Sequence, residues 1–163
     1  MVLEHKMMIE NKTASSLILM KEILKRGHCV RVPTLGRSMF PLISNVVLIE
    51  PAIVKNIITG DIVVYISGER VVAHRMVRKL IKDGKEILLI RGDTWLESSA
   101  ILPENVIGKV IGIEKWGIEL NFKRGIGKIF DIMCRSTSPL TSRLYSILRN
   151  GKHSLLRKNE KSI

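Results

Sequence analysis

Between two β-rich runs, the segment LIKDGKEI at residues 80–87 carries the most restrictive local signal in the chain. Asp83-Gly84 is a preferred pair for a two-residue type I′ hairpin, because both central positions need positive φ. That turn makes the flanking runs an antiparallel pair and sets Lys82 opposite Lys85. Carried outward without interruption, the register gives paired residue numbers that sum to about 167, which puts His74 opposite Asp93. Side chains facing each other in such a pair have Cβ atoms about 4.5–5.5 Å apart, so an imidazole and a carboxylate would meet.

The same pattern extends on both sides. From His28 to Lys115 the runs CVRV, VVLI, DIVVYI, RVVAHRMVRKL, EILLIRG and VIGKVIGI alternate with Gly, Pro, Asn and Asp, and IELNF adds one more strand. Before them, TASSLILMKEILKRG places Leu17, Met20 and Leu24 on one helical face, with Thr13 as cap and Gly27 as stop. After them, IGKIFDIMCR and PLTSRLYSILRNGKHSLLRK set apolar residues at helical spacing among cations. The expected fold is mainly β, with a helical segment over 1–27, a β domain over 28–122 and a basic amphipathic helical tail over 123–163. A chain of 163 residues that is 45% hydrophobic can bury one core of ordinary size.

Charge is distributed unevenly. The formal net charge is +12, and the stretch from Lys123 onward holds ten basic and two acidic residues. Such a tail suits anionic lipid, nucleic acid or an acidic partner; its amphipathic helices would either lie on an anionic membrane surface or pack their apolar faces on the β domain or a partner. No helix-turn-helix precedes the β region, so nucleic acid is not the expected partner. Cys29 and Cys134 are far apart and His5, His28 and His153 lack ligand spacing. The expectation is free thiols in a reducing compartment, no metal and no cofactor. No run is long and apolar enough to cross a bilayer, and Glu4 and Glu10 occupy the place of a signal peptide's basic region. The chain therefore reads as cytoplasmic, with its tail peripheral at the inner face of the membrane.

Chemistry is concentrated in TLGRSMFPLI. Gly36 permits a sharp bend, Pro41 fixes φ, and Ser38 between them has two readings: a serine bonding nearby backbone, or a nucleophile whose own N–H helps hold an oxyanion. With His74 as base and Asp93 as acid, the residue types for hydrolytic acyl transfer are complete. As catalytic groups, Ser38 and His74 are expected to lie outside the packed core. Met39 reads as an apolar wedge seating the serine loop, and Trp95 and Trp116 as packing anchors.

Five segments, GRSMFP at 36–41, GDIVVY at 60–65, VAHRMV at 72–77, RGD at 91–93 and NVIGKVIGI at 105–113, resemble in order and spacing the motif boxes of the signal peptidase I superfamily. His74-Arg75 resembles the endoplasmic-reticulum and archaeal type, in which histidine replaces the lysine base of the bacterial enzymes and self-cleaving repressors. The resemblance implies a serine endopeptidase with Ser38 as nucleophile, His74 as general base, Asp93 as acid and Gly60-Asp61 as a structural turn. It also implies a leader or signal peptide cut after small residues while held as an extended strand. The position of the family's second acid is occupied here by Ser99, with Glu97 close by. A catalytically silent peptide-binding module, or a nucleic-acid-binding regulator with a repressor-type peptidase fold, are the competing readings.

Overall fold

The computed structural model describes residues 15–35, 37–40, 42–43, 46–115, 117–123 and 132. The Thr13 cap, Gly36 and Pro41 of the serine loop, Trp116, Cys134 and the expected tail helices lie outside the described residues, apart from the lone Ile132.

Helix α1 covers residues 15–25. It stops where the sequence reading places the stop: Gly27 adopts φ 84°, its N–H donates to the Leu24 carbonyl at 3.0 Å, and the His28 N–H donates to the Ile23 carbonyl at 3.2 Å. This reciprocal pair closes the last turn and requires the left-handed conformation that glycine adopts without a Cβ penalty. Met20 and Leu24 then go into the core on one face of the helix.

Among the described residues eight strands follow: β1 Val30–Pro33, β2 Val46–Glu50, β3 Ile62–Ser67, β4 Arg70–Lys82, β5 Lys85–Arg91, β6 Ser99–Ile101, β7 Val106–Lys115 and β8 Ile118–Asn121. All pair antiparallel in one curled sheet of order β1-β2-β7-β3-β4-β5-β6, with β8 joined to β7. The chain is thus mainly β with a short N-terminal helix, as its sequence pattern predicts. The largest core cluster joins Met20 and Leu24 of α1 to Met39, Leu42, Val47, Ile49, Val64 and Val110. Pro33 ends β1, which among the described residues pairs with β2 alone, an edge position where a missing N–H is tolerated.

The β4–β5 hairpin forms as expected, with Asp83 at φ 51°, Gly84 at φ 72° and Lys82 opposite Lys85. Its register holds as far as Arg78↔Leu89. A bulge between Met76 and Arg78 then shifts the pairing by one residue, giving Met76↔Ile90 and Arg75↔Arg91. The expected His74–Asp93 pairing is therefore wrong by one position. An extra residue on one strand bends it and re-aims the side chains beyond, which local turn chemistry cannot foresee.

Gly108 on β7 marks a close approach of backbone to backbone. A Cβ there would lie 2.6 Å from Ile49 Cγ2 and 2.7 Å from the Glu50 carbonyl oxygen on β2. Gly108→Ala is expected to destabilise the fold by about 1–3 kcal/mol through overpacking, read as a lowered urea midpoint. An unchanged midpoint would mean that β2 can move away freely.

Candidate active site

Ser38 sits on a short turn, half-buried, where the Phe40 N–H donates to the Arg37 carbonyl and the Ile43 N–H to the Met39 carbonyl. Met39 is buried in the main core cluster, which anchors the turn from below in the way its wedge reading anticipates. From above, the turn after β5 grips it. The Thr94 N–H donates to the Ser38 carbonyl at 3.0 Å, and Thr94 Oγ1 reaches the Arg37 and Ser38 carbonyls at 3.2 Å each. Gly92 makes this fit feasible: a Cβ on it would stand 2.9 Å from the Ser38 carbonyl oxygen and 3.1 Å from Ser38 Cβ. The glycine of RGD is thus the seat of the serine loop.

His74 lies on β4 opposite Val63 of β3, with 2% of its surface exposed. The expectation that it stands clear of the core is therefore corrected. Trp95, read as a packing anchor, is 46% exposed and sets its indole edge-on to the imidazole, with centroids 4.8 Å apart. The ring's Nδ1 lies 3.1 Å from Tyr65 Oη, and Nε2 is buried with no hydrogen-bond partner among the described residues. Ser38 Oγ and the imidazole are accordingly not hydrogen-bonded in this conformation; Gly92 lies against both Ser38 and Trp95, and Trp95 in turn meets the imidazole. Burial pushes the His74 pKa below the usual histidine value, and the nearby Asp93 charge opposes that shift without reversing it.

Asp93 is turned toward Arg75. The guanidinium donates from Nε to Asp93 Oδ1 and from Nη2 to Oδ2, both at 2.8 Å, and from Nη1 to the Gly60 carbonyl at 2.8 Å. Both side chains of the pair are about 6% exposed. The fork geometry of arginine matches the two carboxylate oxygens and leaves a further donor for the turn before β3. That turn is itself closed by Gly60 at φ 92° and by N–H donation from Gly60 to the Met76 carbonyl and from Met76 to the Asp61 carbonyl. GDIVVY and RGD are thus tied to one another through Arg75, a role that the sequence reading did not assign. Nor did it single out Tyr65, although the period of two in IVVY puts Tyr65 on the same face as Val63. Ser99 opens β6, exposed, opposite Ile90.

A cleft of about 850 Å³ reaches the serine loop, lined by residues of α1 and β1, the first residues of β4, Ser38 and Met39. Among the described residues the strand edges beside it are open. β1 pairs only with β2, and β4 pairs with β5 only from Arg75 onward, so the Arg70–His74 stretch bonds to β3 alone. Among the described residues, no cluster of His, Cys, Asp and Glu could hold a metal ion and no helix is long and apolar enough to cross a membrane. Compared with known proteins, the chain matches no protein-family model, no curated protein and no solved structure.

Proposed function

We propose that this chain is a serine endopeptidase of the signal peptidase type, which cleaves a leader or signal peptide with Ser38 and His74. The observation that carries the reading is a buried histidine with one nitrogen bonded to Tyr65 and the other without a hydrogen-bond partner among the described residues, joined through Trp95 and Gly92 to a serine loop held in place by the Gly92–Thr94 turn. An extended peptide laid in the cleft would find open backbone donors and acceptors on β1 and on the start of β4, the chemistry of strand addition. Ser38 Oγ attacks the scissile carbonyl while His74 Nε2 takes its proton. His74 then gives that proton to the leaving amine, and water repeats the cycle to release the acyl group. The Ser38 N–H helps hold the oxyanion. Asp93 supplies negative potential near the imidazole and, through Arg75, fixes the turn that grips the serine loop.

The depressed His74 pKa sets the pH response. The base is active when neutral, so kcat/KM is expected to stay level as pH falls through about 6.5, the ordinary histidine value, and to drop only below it. Stability follows the same group with a defined sign. The unfolded chain binds the His74 proton more readily, so the histidine's contribution is full above about 6.5, is lost as pH falls toward the folded value, and is constant below that. An activity limb centred above pH 7 would contradict a buried neutral base.

The unformed Ser38–His74 hydrogen bond favours one alternative, a silent peptide-binding module with the same cleft. Incubation with a serine-directed phosphonate and mapping of the adduct separates the two. Labelling of Ser38 together with cleavage of extended peptides after small residues supports the peptidase. Peptide binding with neither labelling nor cleavage supports the module. The basic stretch beyond Lys123 lies outside the described residues, and its place at an anionic, inner membrane face belongs to this proposal as the peripheral anchor of the enzyme.

A further inference from the structure

The imidazole needs an orienting partner, and Asp93, the acid expected in that role, has both carboxylate oxygens engaged by Arg75. We propose that Tyr65 is the positioning residue for His74, its hydroxyl accepting the Nδ1–H so that Nε2 is presented as the proton acceptor. This rests on the peptidase reading and names the group that sets its base.

Three observations support it. The β3–β4 register pairs Val63 with His74, so Tyr65, two residues further along β3, is the diagonal neighbour on the same face, within reach of a long side chain. Tyr65 Oη and His74 Nδ1 are 3.1 Å apart, and the two residues are 6% and 2% exposed, so water is kept from competing for either atom. Nε2 makes no hydrogen bond among the described residues, so no second contact opposes the tautomer with its proton on Nδ1. If Tyr65 donated instead, the ring proton would move to Nε2 and the histidine could not take a proton from serine.

The choice of partner has consequences. Burial raises the tyrosine's own pKa, so the phenol stays neutral across the working range. A neutral acceptor orients the ring without adding a contact charge to stabilise imidazolium. The charge that acts on the ring is then that of Asp93, itself held by Arg75 in a bidentate pair. Orientation and electrostatics, combined in a single acid in a serine-histidine-acid triad, are divided here between Tyr65 and Asp93.

The test uses Tyr65→Phe in the full chain, which keeps the ring packed and removes only the hydroxyl. Nitrogen NMR of His74 near neutral pH is expected to show the proton on Nδ1 in the parent and a mixture of tautomers in the variant. In parallel, kcat is expected to fall by about tenfold or more with KM within about twofold, since the change lies away from the peptide. Tyr65→His, which can still accept a hydrogen bond, should recover part of the loss. An Nε2-protonated parent, or a Tyr65→Phe variant with the parent's tautomer and kcat, overturns the proposal. A parent with no peptidase activity but a tautomer that shifts on Tyr65→Phe leaves Tyr65 as the residue that sets the ring and removes only the peptidase reading.

Discussion

Ser38→Ala is expected to lower peptide cleavage by a factor on the order of 10⁴ or more while leaving thermal unfolding near that of the parent. The substitution deletes only Oγ. The Cβ that fits against Gly92 remains, and so do the Thr94 bonds to the Ser38 carbonyl. His74→Ala is a less clean companion, because it hollows a buried site and leaves Tyr65 Oη without its partner. His74→Gln, which keeps most of the volume and an amide that can meet the hydroxyl, is the better second variant, and a similar loss is expected since serine and base act as one unit. A steady cleavage assay beside circular-dichroism melts reads both effects. Full activity in folded Ser38→Ala would remove serine from the mechanism.

Arg75→Met should have the largest effect on stability. It removes the two Arg75 hydrogen bonds from a carboxylate that is about 6% exposed and frees the Gly60 carbonyl, which together should cost about 3–5 kcal/mol by urea denaturation. The cost arises from the charge left behind in a low-dielectric site, so Arg75→Met combined with Asp93→Leu is expected to recover much of it. Activity should fall even where the fold survives, because the turn that holds Asp93 also carries Thr94, which grips the serine loop. A loss below about 1 kcal/mol in the single variant would show that solvent reaches Asp93 and that the clamp does little. Ser99→Ala, by contrast, alters an exposed residue opposite Ile90 and should leave both stability and cleavage within error.

The sequence by itself determined the elements whose causes are local. Asp83-Gly84 required its hairpin because two consecutive positive φ angles are accessible there and match the strand twist. Gly27 required the end of α1 for a related reason, and the β runs read correctly because an alternating or apolar pattern between turn residues has few other outcomes. The burial of Met39 beneath the serine loop was legible too, and Ser38, His74 and Asp93 stood out in the sequence as candidates. What only the tertiary structure decided was which of these groups meet. One bulge between Met76 and Arg78 moved the register by a single residue and with it the whole partner list: Asp93 went to Arg75, and His74 was left with Tyr65 and Trp95. Nothing in the hairpin's own residues marks that bulge, because hydrogen-bond register far from a turn is set by packing against neighbouring strands, here β3 beyond β4 and the serine loop beyond β5.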